Sequence, residues 1–241
     1  MPCKLSVNVN KIALLRNSRG SNIPNVVSFA LDCQRYGADG ITIHPRPDER
    51  HIRKTDVYEL AAHFPNQNCE YNIEGFPSDD FVKMVCKVKP TQVTLVPDGA
   101  NQLTSDHGWD VIKNKSLLTT VLQEFREQGI RTSLFIDPIE NQLHEAKNVG
   151  TDRIEFYTGP YAHDYAKNKE KAILPIKKVI PLVHKLGLGI NAGHDLNLDN
   201  LQYFNQQIDG LLEVSIGHAL VKDCLYLGLE NTINMYKRLL K

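Results

Sequence analysis

Short apolar runs along this chain repeatedly end in a polar residue that a buried strand has no reason to carry. Leu5-Ser6-Val7 reaches Asn8 and Asn10, Ile41-Thr42-Ile43 reaches His44, and Tyr71-Asn72-Ile73 reaches Glu74. Leu134-Phe135-Ile136 reaches Asp137, and Ile154 sits beside Glu155. Leu188-Gly189-Ile190 reaches Asn191 and His194, and Val214-Ser215-Ile216 reaches Gly217 and His218. After almost every run the apolar spacing becomes helical. A strand that delivers an ionisable group at its C-terminal end, then turns into a helix, is the pattern of an α/β barrel.

The pattern predicts strands at about 4–10, 40–44, 69–74, 91–97, 131–137, 152–157, 188–191 and 210–216. A loop with Arg16, Arg19 and Gly20 is expected after the first, and Pro24 is expected to open a helix that Gly37 ends. Further helices are predicted at about 55–63, after Ser78 as N-cap, and at 114–128, 139–148, 168–186, 198–205 and 219–240. The polar stretch 98–112 is longer than ordinary connections and reads as a lid loop. Eight βα units close a (β/α)8 TIM barrel better than they build an open sheet. A doubly wound sheet is the rival, but no Gly-x-Gly-x-x-Gly follows the first strand.

Composition narrows the class. The 241 residues match the roughly 250 of such a barrel, and no linker-like stretch divides them, so one domain over 1–241 is expected. Lys+Arg and Asp+Glu each number 28, which argues against a general nucleic-acid binder. No apolar run approaches the roughly 18 residues of a membrane span, and the N-terminus lacks an apolar signal core. The five cysteines at 3, 33, 69, 86 and 224 form no Cys-x-x-Cys pair; Cys33, Cys69 and Cys86 read as small core residues. A cytoplasmic protein with reduced thiols and no membrane partner is expected.

His44, Glu74, Glu155 and His194 occupy matching strand-end positions and would converge at the barrel mouth. His and Glu together can move protons near neutral pH when burial tunes them. Arg19, Arg46, Arg50 and His51 follow the first two strands, where an arginine fork suits phosphate; solvated loop charge is the plainer reading for Arg50 and Arg53. Asn191-Ala192-Gly193-His194 and Ser215-Ile216-Gly217-His218-Ala219 close strands seven and eight, where barrels often bind phosphate on backbone N–H groups. Two anion regions imply one bisphosphate or two phosphorylated substrates. A metal-dependent barrel enzyme acting on a phosphorylated sugar stays open, because His44, Glu74, Asp137, Glu155, His194 and His218 include suitable ligand types. So does a non-catalytic barrel that holds a phosphorylated metabolite.

The ordered stretches Val7-Asn8-Val9-Asn10, Leu15-Arg16-Asn17-Ser18-Arg19-Gly20, Gly37-Ala38-Asp39-Gly40-Ile41-Thr42-Ile43-His44 and Arg46-Pro47-Asp48-Glu49-Arg50-His51-Ile52 carry a specific resemblance. Asn72-Ile73-Glu74, Leu95-Val96-Pro97, Ser133-Leu134-Phe135-Ile136-Asp137 and Ile154-Glu155-Phe156-Tyr157-Thr158-Gly159 continue it, as do the two glycine-histidine motifs above. Together they resemble the pyridoxine 5′-phosphate synthase family across nearly the whole chain. The resemblance implies a (β/α)8 barrel with extra helices and no metal or organic cofactor. It implies condensation of 3-amino-2-oxopropyl phosphate with 1-deoxy-D-xylulose 5-phosphate to pyridoxine 5′-phosphate, phosphate and water. It implies self-association, typically as a homo-octamer.

By the same resemblance, His44, Glu74 and His194 match acid–base residues and Glu155 a transition-state stabiliser. Arg46, His51 and Thr104 match contacts to the deoxyxylulose phosphate; Asn8, Arg19, Gly217 and His218 match contacts to the amino-ketone phosphate. Two departures stand out. The family usually has Asp-His where this chain has Asn10-Lys11, and glycine where it has Asp195. At these three substrate-contact positions a backbone contact can survive the change. Glu70, on the same strand face as Glu74 but deeper, is the competing carboxylate.

Overall fold

The computed structural model describes residues 2–64, 69–99, 102 and 104–241. Eight parallel strands close a barrel in chain order: β1 (Lys4–Asn8), β2 (Gly40–Ile43), β3 (Glu70–Gly75), β4 (Gln92–Leu95), β5 (Arg131–Ile136), β6 (Arg153–Tyr157), β7 (Gly189–Gly193) and β8 (Leu211–Ile216). β8 returns to pair with β1 in the register Ser6↔Ser215. The helices are α1 (Asn10–Asn17), α2 (Val26–Arg35), α3 (Lys54–His63), α4 (Asp79–Val88), α5 (Lys115–Glu127), α6 (Glu140–Val149), α7 (Gly159–Leu186), α8 (Leu201–Gln207), α9 (His218–Leu227) and α10 (Leu229–Leu239). The (β/α)8 expectation holds, with α1 and α10 as the extra helices.

Several boundaries differ from the sequence expectation. β1 stops at Asn8, whose Oδ1 accepts the Asn10 backbone N–H at 3.0 Å and turns the chain directly into α1. The expected loop at Arg16 is therefore helix. Arg16 is buried and forked onto Asp56 at 2.5 and 2.8 Å. Asn25, not Pro24, caps α2: its side chain accepts from Ser28 N–H at 2.8 Å. α7 starts at Gly159, well before the expected helix at 168–186, with a kink at Asn168 (φ −163°, ψ 96°) marking where the helical periodicity begins. The single expected C-terminal helix breaks at Gly228 (φ 75°), a backbone region that favours glycine.

The strands are apolar outside and polar inside. Leu5, Val7, Ile41, Ile43, Ile73, Val93, Leu134, Ile154, Phe156 and Val214 are buried beneath the helical ring. Each such side chain is worth about 1.5–3 kcal/mol of burial. α4 shows how a helix docks. Ser78 caps it, Asp79 and Asp80 lie on its positive end, and Phe81, Val82 and Val85 face inward. A side chain at Gly75 would collide with the Phe81 ring, so the end of β3 requires glycine.

The alternate residues fill the barrel with hydrogen-bonding groups rather than the branched aliphatics usual in such interiors. At the floor, Glu70 pairs with Lys4 and Arg131, and Arg131 Nε donates to Gln92 at 2.9 Å. In the middle, Ser6 and Thr42 share a 2.7 Å bond, and Thr94 donates to Asn72 at 3.1 Å. Glu213 accepts from Asn191 at 3.4 Å. Partnered in this way, buried polar groups avoid most of their desolvation cost.

Candidate active site

The C-terminal strand ends open into a cavity of about 230 Å³. β2 delivers His44, β3 Glu74 and β6 Glu155; β7 runs into His194 and β8 ends at Ser215 and Gly217. His44, Glu74, Glu155 and His194 all line the cavity, as do Asn8, Asn10, Lys11, Arg46, His51, Thr104, Asp195, Gly217 and His218. Arg19 does not. The eight residues of α1 carry the chain roughly 12 Å beyond the strand end, and Arg19 stands exposed past that helix.

Glu74 and His44 face each other in the cavity. His44 Nδ1 lies 4.0 Å from Glu74 Oε2. Asn8 Nδ2 donates to the same oxygen at 3.4 Å, and Ser215 also hydrogen-bonds the carboxyl. Burial, then the charge of Asp98, pushes the Glu74 carboxyl up to about 8. Burial and the neighbouring Arg46 hold His44 well below its usual range. Near neutral pH the pair is thus a carboxylic acid beside a neutral imidazole. Burial and the charge of Glu74 also raise Glu155 well above the usual carboxylate range. A side chain at Gly193 would occupy the position of the Glu155 carboxyl, so glycine there makes room for the acid.

One wall is cationic. Arg46 Nη2 meets Asp98 at 2.5 Å, and Ser105 Oγ donates to the same carboxylate at 2.7 Å. His51 Nδ1 accepts the Ile52 N–H at 2.9 Å, which leaves Nε2 as its donor. Burial and Arg46 lower His51 to about 4, so it stays neutral. Arg16 and Asn17, at the end of α1, both donate to the His51 carbonyl and brace this loop. Asn10 Oδ1 accepts the His44 N–H at 2.9 Å, so its side chain positions the end of β2.

The opposite wall is built from backbone. Gly217 leads into α9, and His218 is its first residue. The free N–H groups of a helix start suit an anion. A Cβ at Gly217 would lie 3.1 Å from the Asn8 side chain. His194 Nε2 is 3.0 Å from Thr104 Oγ1, which brings the β4–α5 loop onto the mouth.

A family profile described as Pyridoxal phosphate biosynthesis protein PdxJ matches residues 5–241. Proteins named pyridoxine 5′-phosphate synthase from Flavobacterium johnsoniae and Bacteroides fragilis are each 56% identical to this chain, over 99% of both lengths. The chain belongs to the PdxJ family. A solved tryptophan synthase from M. tuberculosis superimposes with a TM-score of 0.67 at 10% identity, covering 99% of this chain and 93% of that one. That likeness shows the barrel fold alone.

From the sequence, Arg50 reads as solvated loop charge. It lines the cavity, bonds Asp48 at 2.7 Å and reaches the Gln102 carbonyl at 3.2 Å. Ser105 and Asp98 were not singled out either. Their signal was weak, because both sit in a polar loop whose fold is set by contacts to Arg46. Glu70 is settled as a floor residue by its partners Lys4 and Arg131.

Proposed function

We infer that this PdxJ-family chain is a pyridoxine 5′-phosphate synthase, an enzyme of vitamin B6 biosynthesis. The reaction joins 3-amino-2-oxopropyl phosphate to 1-deoxy-D-xylulose 5-phosphate and releases phosphate and water. The observation that carries the reading is one cavity holding three proton-exchanging groups between two unlike anion-binding walls. Arg46, His51 and Thr104 suit the deoxyxylulose phosphate; Asn8, Gly217 and His218 suit the amino-ketone phosphate. Asn10, Lys11 and Asp195 offer further contacts at the rim. The exposed Arg19 supports no contact within the chain's own cavity.

Ring formation needs imine formation, loss of phosphate, loss of water and a closing carbon–carbon bond, and each step moves a proton. Glu74 enters protonated and can donate first, then accept. Neutral His44 is free to take a proton on the deoxyxylulose side, and His194 serves the amino-ketone side. Glu155 beneath them stabilises positive charge once it is ionised. Among the described residues no three His, Cys, Asp or Glu side chains are grouped to hold a metal ion, which gives the metal-dependent reading no support. Exposed Leu225 and Tyr226 on α9 suit burial against a second copy, in keeping with a homo-octamer. Five free thiols suit a cytoplasmic setting.

The test is incubation of purified protein with both phosphorylated substrates, following pyridine absorbance and released phosphate. Equimolar product and phosphate are expected, with turnover unaffected by chelator. Binding of either substrate without product would favour a metabolite-binding barrel. Turnover that depends on a stoichiometric metal would favour the metal-dependent enzyme.

A further inference from the structure

The turn after β7 holds two consecutive non-glycine residues at positive φ, His194 at 87° and Asp195 at 59°. Glycine adopts this region without cost, and Asp tolerates it better than most residues. The backbone is clamped there: Thr158 Oγ1 donates to the Gly193 carbonyl at 2.6 Å and also to the His194 carbonyl. What the clamp leaves free is the rotation and tautomer of the His194 ring. The Asp195 carboxylate, which could have repelled a bound phosphate, is turned onto that ring. Its Oδ2 lies 2.9 Å from His194 Nδ1. The ring's other nitrogen, Nε2, faces Thr104 Oγ1 at 3.0 Å, and the Tyr157 ring meets its edge at 5.2 Å between centroids.

We propose that Asp195 is a positioning residue: its carboxylate accepts the Nδ1 proton of His194 and presents Nε2 to the cavity as a lone pair. The inference rests on the reading of His194 as an acid–base residue. A ring nitrogen's protonation is set by the bond its partner nitrogen makes, and a neutral imidazole left in water favours the opposite tautomer, Nε2–H. The bond from His194 also holds the Asp195 carboxyl below the usual range, so the acceptor is ionised when the substrates bind. A glycine at this position would leave Nδ1 without the carboxylate. The left-handed backbone that suits glycine is here occupied by an acid with a definite partner.

The experiment is nitrogen-15 NMR of the imidazole, with His194 assigned by the signals lost in His194→Gln, combined with kinetics. In the unaltered protein His194 should show a proton-bearing Nδ1 and a lone-pair Nε2. Asp195→Gly should shift it toward Nε2–H and lower kcat about 5-fold, the equivalent of one ordinary hydrogen bond. KM should stay within about twofold, because the backbone N–H at 195 is kept. The melting temperature should not fall, since glycine fits this φ. Asp195→Asn, whose amide oxygen can still accept from Nδ1, should restore the tautomer and much of kcat. An unchanged His194 signature in Asp195→Gly would overturn the proposal, as would an Asn variant as impaired as the Gly variant. Full activity of His194→Gln would instead sink the acid–base reading of His194, a separate failure.

Discussion

Burial decides the protonation of Glu74 before any substrate arrives. In water its carboxyl would be ionised at neutral pH; in the cavity it is pushed up to about 8, because desolvation and the charge of Asp98 outweigh the pull of Arg46. Arg46, buried at the cavity wall, is already engaged by Asp98. A phosphate bound against Arg46 would therefore meet a guanidinium whose orientation is fixed in advance. Arg46→Ala should weaken binding of the deoxyxylulose phosphate by roughly 10- to 150-fold, the worth of one charge-assisted contact of about 1.5–3 kcal/mol. Separate KM measurements for the two substrates check this. An equal effect on both would show that the two walls do not divide the phosphates as assigned. At this scale the sequence was informative, because His44, Glu74, Glu155 and His194 each follow an apolar run. Arg50 and Asp98 were harder to read, since their place in the site comes from contacts 52 residues apart in the chain.

The β4–α5 connection shows what an element adds beyond its residues. Its second half is pinned: Gly108 N–H donates to Asp137 at 3.0 Å, and Trp109 Nε1 donates to the Leu95 carbonyl at 2.9 Å. Thr104 and Ser105, by contrast, are held through side-chain bonds to His194 and Asp98. Hydrogen exchange should therefore slow on ligand binding at 104–107, while 108–111 is already protected in the free protein. Uniform protection of the whole stretch in both states would remove the lid. The length and polarity of 98–112 mark it as an unusual connection, but nothing in the sequence shows that the buried Trp109 and Val111 divide it. α1 was missed for a related reason. Its apolar residues continue the β1 run without a break, and Arg16 looked like solvent-facing charge until Asp56 was brought to it by the fold.

Across the whole molecule, the inverted polarity of the barrel couples stability to pH. Burial, then the charge of Glu70, lifts the Glu213 carboxyl from 4.5 to about 7. Between those values the folded state holds a proton that the unfolded state has released. The stabilisation is complete below about pH 4.5 and is lost as pH rises through about 7. Glu213→Gln keeps an acceptor for Asn191 and removes the titration. Its melting temperature should fall less than the parent's between about pH 5 and pH 8. Parallel curves would show that Glu213 is not buried as described. The eight βα units were legible from alternating periodicities, which are local. The polar interior was present in the same alternation, as Ser6, Thr42, Asn72 and Thr94. Reading it required the strand register, which only closure of the barrel supplies.

The central claim is that a buried, proton-holding Glu74 moves protons between the two substrates. Steady-state kinetics of Glu74→Gln test it most directly, because the change keeps the shape and removes the titration. The expected result is turnover reduced by about 100-fold or more, the range for a lost acid–base group, with both KM values within a few-fold. Near-normal turnover in this variant would contradict the account and make Glu155 the next carboxyl to test.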